Sequence, residues 1–182
     1  MPSLTELICT RQSVRRFSGD PVEKEKLNEC LEALRLAPSA CNSQPWKVIV
    51  VDEPGLKDRV ARATYGAAIA FNKFVVQAPV IIVIVMEKPK MITQIGGRIK
   101  DKEYPLIDIG AAAVHFCLMA TELGLGTCML GWFREKEIIE LLGIPGKKRI
   151  GLLIAIGYTK KGYKLRKKIR KKMDDIVSYN RY

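Results

Sequence analysis

Hydrophobic and polar positions in the first quarter of the chain recur with the period of one amphipathic helix. An apolar residue returns every three or four positions, as on one helical face, at Leu27, Cys30, Leu31, Leu34 and Ala37. The preceding Asp20-Pro21-Val22-Glu23 predicts the start of this helix, with the Asp20 carboxylate as N-cap and Glu23 completing a capping box. Pro38 predicts the loop that follows.

Short apolar runs farther along the chain predict interior strands separated by helices. β-Branched residues concentrate in three such runs, which is typical of buried strands: Trp46–Val51, Val80–Met86 and residues 150–156. Helices are predicted over residues 54–64, 67–76 and 135–142. Together these elements predict an α+β sandwich in which helices surround a small sheet.

The longest apolar stretch, residues 107–125, is interrupted by Asp108, His115 and Glu122. These polar side chains favour a buried core helix over a membrane span. We interpret His115, the single histidine, as a satisfied core residue rather than a catalytic base or a ligand. Residues 1–10 lack the basic segment and apolar stretch of a secretory signal. We therefore expect a cytoplasmic protein with no membrane partner.

Length and charge predict one domain and an anionic ligand. A chain of 182 residues that is 48% hydrophobic can bury one core, so residues 1–182 are assigned to a single domain. The formal net charge of +12 indicates a phosphate-bearing partner. Basic residues occupy nine of the 13 positions from 160 to 172, and apolar residues follow up to Tyr182. Since residues 160–182 have no core of their own, we expect a basic C-terminal arm that packs on a second subunit.

Spacing excludes several familiar sites. The five cysteines include no Cys-x-x-Cys pair, so we predict neither a disulfide framework nor a metal site, as expected in a reducing compartment. Gly124-Leu125-Gly126 lacks the third glycine of a dinucleotide fingerprint, and Gly146-Lys147-Lys148 lacks the spacing of a P-loop.

Two polar stretches remain that folding alone does not explain. In an extended segment, Arg11, Ser13 and Arg15 would fall on one side, where two guanidinium groups and a hydroxyl suit a phosphorylated, hydroxyl-rich ligand. The loop of residues 37–46 is rich in small and amide side chains, which let a flat heteroaromatic ring approach the backbone. An ordinary turn that uses Ser and Asn for local hydrogen bonds would have the same composition.

Together these stretches resemble the nitroreductase family of FMN-dependent enzymes, and the resemblance covers most of the chain. It rests on the order of five motifs: Arg-x-Ser-x-Arg-x-Phe from Arg11, Pro-Ser-Ala-x-Asn-x-Gln-Pro-Trp from Pro38, Ala78-Pro79-Val80, Gly124-Leu125-Gly126-Thr127-Cys128 with Gly131, and Gly157-Tyr158 before a basic segment. The resemblance implies a nitroreductase-like sandwich with a central, mostly antiparallel sheet and a C-terminal arm that extends to the partner subunit.

The same resemblance implies a set of cofactor-binding residues. Arg11 would meet the phosphate and ribityl end of FMN, Ser13 would bond nearby, and Arg15 would lie beside the pyrimidine edge. Leu130 and Gly131 would present backbone near the flavin N5. The other subunit of a homodimer would contribute Pro38, Ser39, Ala40 and Asn42, and the C-terminal phosphate pair would be Lys168 and Arg170.

The implied function is reduction of a nitroaromatic, a quinone or a similar small acceptor by NADH or NADPH through the flavin, with no catalytic side chain. A flavin protein acting in dehalogenation, flavin breakdown or sensing would share these motifs. A nucleic-acid-binding protein is an alternative from another class, with residues 160–172 as its electrostatic footprint. Tyr163 is the one aromatic residue in that stretch and no reading module is present, which weighs against nucleic acid.

Overall fold

A four-stranded antiparallel sheet forms the centre of the molecule. In the computed structural model, which describes residues 2–66 and 70–182, the strand order is β1-β2-β4-β3. The strands are β1 Trp46–Val51, β2 Val80–Met86, β3 Gly126–Leu130 and β4 Arg149–Gly157. The three predicted strands are confirmed, whereas β3, with its Gly and Thr, was not predicted from its sequence.

Strand β2 lies between β1 and β4 and is buried on both faces, which explains its continuous apolar sequence. Ile81 and Val83 pack into one core, while Ile82 and Ile84 pack into the other on the opposite face. The sheet therefore separates two hydrophobic layers, as in a sandwich with helices on both sides. The predicted α+β class and the antiparallel sheet are confirmed.

Six α-helices surround the sheet in the part of the chain that the structure describes. Their bounds are α1 Leu4–Thr10, α2 Lys24–Arg35, α3 Pro54–Arg62, α4 Met91–Lys100, α5 Tyr104–Glu122 and α6 Glu135–Leu141. Helix α1 begins in a capping box between Ser3 and Glu6, in which each side chain bonds the other residue's backbone N–H. Helices α1 and α4 were not predicted, while α2, α3, α5 and α6 lie where the apolar periodicity placed them.

Two predictions about helix position are wrong. Helix α2 begins at Lys24 with Glu23 in the N-cap position and no side-chain cap bond, so Asp20 does not cap it. Of the helix predicted over residues 67–76, residues 67–69 lie outside the described residues. The remainder forms only a 3-10 turn, Lys73–Gln77, with Phe71 exposed before it. Phe74 and Val75 of that turn are buried, so apolar content without a continuing helical period was misleading here.

Helix α5 is long and apolar enough to cross a membrane by length and composition alone. One face of it is nevertheless the core of this fold, where Ile109, Phe116 and Cys117 are buried, so it is a core helix as predicted. The interpretation of His115 as a core residue is wrong, because its position on the helix turns it to the exposed face. That face also exposes the large apolar side chains of Leu106, Ile107 and Val114.

Candidate functional site

The segment from Arg11 to Phe17 is extended and lies along the open edge of β3. Ser13 pairs in parallel with Thr127, and the backbone N–H of Val14 donates to the Thr127 carbonyl at 2.8 Å. Val14 and Phe17 are buried and so anchor the segment to the core. The predicted alternation follows, because inward Val14 leaves Ser13 and Arg15 on the outer side.

The basic arm folds back onto this same segment. Phe17 pairs with Thr159, and the half-buried Tyr163 brings its hydroxyl to the segment, accepting from the Arg15 N–H at 3.1 Å and lying 3.5 Å from the Ser13 carbonyl. Beyond it, Arg166 donates to the Ser13 carbonyl and Lys168 donates to the Arg11 carbonyl. Residues 163–168 are therefore held against the N-terminal segment within one chain.

These contacts enclose a pocket of about 370 Å³ in which positive charge is concentrated. Its lining consists of Arg11, Gln12, Ser13, Arg15, Arg166, Lys167, Lys168, Ile169 and Arg170. Six of these nine residues are cationic. None of the lining residues that the structure describes carries a carboxylate. The pKa of Lys168 is lowered from its ordinary value, first by partial desolvation and then by the nearby charges of Arg11 and Arg170. An anion bound here would relieve that repulsion, and a guanidinium cluster matches a phosphate.

The polar loop of residues 38–44 adopts a strained backbone. Cys41, Asn42 and Gln44 all have φ near +50°, in the left-handed region that non-glycine residues rarely adopt. Local hydrogen bonds hold this geometry: the Ser39 hydroxyl accepts from the Gln44 N–H at 2.9 Å, and the Gln44 side chain donates to Asn42 Oδ1 at 2.8 Å. Such clustered strain is characteristic of functional loops.

Neighbouring helices fix this loop in place. Asp108 of α5 is 5% exposed and its Oδ1 accepts from the Ala40 N–H at 3.1 Å. Thr93 of α4 donates to the Ala40 carbonyl at 3.3 Å and shares a 2.8 Å hydrogen bond with Ser43. The second carboxylate oxygen of Asp108 has no partner among the described residues. The loop does not line the cationic pocket of its own chain.

Strand β3 connects the cationic pocket to a second open surface. Gly131 lies four positions after Thr127, which pairs with Ser13, a distance of about 13 Å at the usual rise of a strand. Leu130 is buried, whereas Gly131 is exposed and its backbone borders open space. Just beyond lie the exposed rings of Trp132 and Phe71, with centroids 6.4 Å apart.

Comparison with known proteins shows which family has this arrangement of elements. The model of the nitroreductase family matches residues 8–158, a span that contains the segment at Arg11, the strained loop, β3 and Gly131. The chain belongs to the nitroreductase family. Among solved structures, the chain resembles a nitroreductase family protein from Clostridium novyi NT, with 33% identity, a TM-score of 0.78 and coverage of 88% of this chain and 87% of the other.

Two further relatives carry descriptive names. The structure of an FMN-dependent nitroreductase from Clostridium difficile R20291 matches with 28% identity and a TM-score of 0.76, covering 98% of this chain and 100% of the other. The curated FMN reductase [NAD(P)H] of Bacillus subtilis is 27% identical over 157 residues, which are 80% of this chain and 61% of that protein. The fold and the family predicted from sequence are thus confirmed.

Several residues that shape the site of this family member were not identified from the sequence. Gln12 and Arg166 bind each other, Tyr163 binds the N-terminal backbone, and Asp108 and Thr93 hold Ala40. Only Tyr163 carried a signal, as the lone aromatic residue in a basic run. The others act through partners 50 or more positions away in sequence, which no local pattern reveals.

The buried cysteines of this family member are poor nucleophiles. Burial raises the pKa of Cys30 to about 12 and that of Cys117 to about 11, and it also raises the pKa of Cys128 although Arg15 and the Ser13 side chain act in the opposite direction. These thiols therefore stay protonated at neutral pH. All five cysteines are free.

Proposed function

We propose that this chain is an FMN-dependent oxidoreductase that uses NADH or NADPH to reduce a nitroaromatic, a quinone or a similar small acceptor. The observation that carries the proposal is the cationic pocket between Arg11 and Arg170, which lies at one end of β3 while an open backbone lies at the other. The names of the Clostridium difficile and Bacillus subtilis relatives support the cofactor and the reductant.

The residues of the pocket fit the phosphate end of FMN. Arg11, Lys168 and Arg170 would bind the phosphate, and the Ser13 hydroxyl would bond close to it. Arg15 would lie at the pyrimidine edge, where a fixed positive charge stabilises electron density gained on reduction. Leu130 and Gly131 would offer backbone to the ring. When bound, FMN supplies the redox chemistry, taking a hydride from the nicotinamide and passing electrons to the acceptor.

The protein contributes placement and electrostatics rather than a reacting side chain. The three buried thiols are held protonated, and His115 lies on the exposed face of α5. Among the described residues no group of His, Cys, Asp and Glu is arranged to hold a metal ion. We therefore assign no nucleophile and no general base.

We also propose that the protein works as a homodimer in which Pro38, Ser39, Ala40 and Asn42 approach the flavin of the other subunit. Exposed apolar side chains on α1 and α5 support this assembly, since a surface of this kind favours burial against a partner: Leu4, Ile8, Leu106, Ile107 and Val114. The end of the arm beyond Arg170 likewise exposes Met173, Ile176, Tyr179 and Tyr182, as expected of a segment that packs on a second subunit.

The aromatic rings beside Gly131 support a flat aromatic acceptor. Trp132 is 54% exposed and Phe71 is 63% exposed, and their rings meet at an angle of 57°. Buried Asn72 fixes this corner by donating to the carbonyls of Thr64 and Trp132, both at 3.2 Å. Exposed aromatic rings gain contact area when a planar ligand stacks on them.

The five free cysteines are consistent with a cytoplasmic location.

The absorption spectrum of the freshly purified full chain tests the cofactor. A yellow protein whose released chromophore migrates as FMN is expected, and a colourless protein that cannot be reconstituted with FMN would overturn the proposal. Oxidation of NADH and NADPH with a panel of nitroaromatics and quinones then tests the reaction. Bound FMN without oxidation of either nicotinamide would favour a non-reductase flavin protein. A gel shift abolished by removing residues 160–172 would instead favour nucleic-acid binding.

A further inference from the structure

The cationic pocket has a feature that its charges alone do not explain. Six cations from two distant parts of the chain, residues 11–15 and residues 166–170, converge without a carboxylate among the lining residues that the structure describes. Like charges at this proximity repel one another, and the charges of Arg11 and Arg170 add to the desolvation that lowers the pKa of Lys168. Arg166 and Lys168 donate to the Ser13 and Arg11 carbonyls, but these bonds place further cations beside Arg11 and Arg15. Contacts from neutral groups hold the two halves together without adding charge.

Two neutral side chains, Gln12 and Tyr163, make such contacts. Gln12 donates through Nε2 to the Lys164 carbonyl at 3.4 Å, and its Oε1 accepts from the backbone and side-chain N–H groups of Arg166 at 3.2 and 3.4 Å. Tyr163 packs its ring against the buried core that includes Val14 and Phe17. Its hydroxyl reaches the Ser13 carbonyl and the Arg15 N–H.

We propose that Tyr163 and Gln12 are positioning residues of the phosphate pocket, which hold the basic arm against the Arg11 to Arg15 segment so that both halves bind one anion. Neither residue is charged, so neither adds to the repulsion. Tyr163 fixes the backbone that carries Ser13 and Arg15, while Gln12 fixes the arm just before Lys168 and Arg170. This inference rests on the proposed function only in taking the anion to be the phosphate of FMN.

Binding of FMN and of riboflavin, which lacks the phosphate, separates this role from a general structural one. Affinity is measured by quenching of flavin fluorescence in the full chain freed of flavin. Tyr163→Phe and Gln12→Met should each weaken FMN binding about fivefold or more, since each removes at least one hydrogen bond, and should weaken riboflavin binding less, because riboflavin lacks the phosphate. Tyr65→Phe is the matched control, since it also removes a phenol hydroxyl but lies outside the arm and outside the lining of the pocket.

Unchanged FMN affinity in both variants, or equal weakening of FMN and riboflavin, would overturn the inference. Inorganic phosphate provides an independent readout that does not use flavin. Phosphate should slow tryptic cleavage of the arm in the wild-type chain and protect Tyr163→Phe about fivefold less, in proportion to one lost hydrogen bond. Phosphate protection without FMN binding would refute the proposed function and keep the inference. If FMN binds but phosphate protects the wild-type chain and Tyr163→Phe equally, the inference is refuted and the proposed function is kept.

Discussion

Gly126 lies where the N-terminal segment meets β3, and replacing it with alanine tests how that segment is held. A Cβ at this position would lie 2.7 Å from Val14 Cγ2 and 2.9 Å from Thr159 Cγ2. Val14 belongs to the segment that carries Ser13 and Arg15, and Thr159 pairs with Phe17. The added methyl group would therefore push against both strands that build the cationic pocket.

The expected cost follows from the geometry. The Val14 contact is about 0.7 Å shorter than the 3.4 Å at which ordinary van der Waals contact begins, and Val14 is 3% exposed, so it has no room to retreat. Overpacking of this kind costs about 1–3 kcal/mol. For a chain of this size each kcal/mol corresponds to about 2–4 °C in Tm. Because Ser13 and Arg15 move with Val14, FMN affinity should fall as well.

Thermal unfolding and FMN titration of Gly126→Ala measure both effects. Gly146→Ala is the matched control, because a Cβ there meets nothing within 4 Å and its φ is not positive. The substitution should also cost less in a Val14→Ala background, where the clashing Cγ2 is absent. Gly126→Ala with the Tm and FMN affinity of the wild type would refute this account of the segment.

Other predictions concern the cofactor site and the assembly. Arg11→Ala should lose FMN on gel filtration, since a charge-assisted hydrogen bond is worth about 1.5–3 kcal/mol, and full retention would contradict its role. Arg15→Ala should lower the flavin midpoint potential because reduced flavin loses more stabilisation than oxidised flavin, and an unaltered potential in a redox titration would exclude that role. Deletion of residues 160–182 should give monomers in size-exclusion chromatography, whereas an unchanged dimer would show that the arm does not hold the subunits together.

The local sequence pattern was sufficient to predict an element where its burial follows its hydrophobic periodicity. Strands β1 and β2 have the bounds predicted from their β-branched runs, because their side chains pack into the two cores. Pattern failed where a tertiary contact decides the structure. Strand β3, with its Gly and Thr, is a strand because it pairs with β4, and α2 starts at Lys24 although Asp20-Pro21 is a strong helix-start signal.

The sequence by itself determined β1, β2 and β4, the helices α2, α3, α5 and α6 and the family resemblance, which implied the antiparallel sheet, since these depend on residue type and order along the chain. It also placed Arg11, Ser13 and Arg15 on one side of an extended segment. Only the tertiary structure decided that Gln12 and Tyr163 hold the two halves of the cationic pocket together and that Asp108 fixes the strained loop. Those contacts join residues about 65 to 155 positions apart, and side chains so distant in sequence meet only when the whole core has formed.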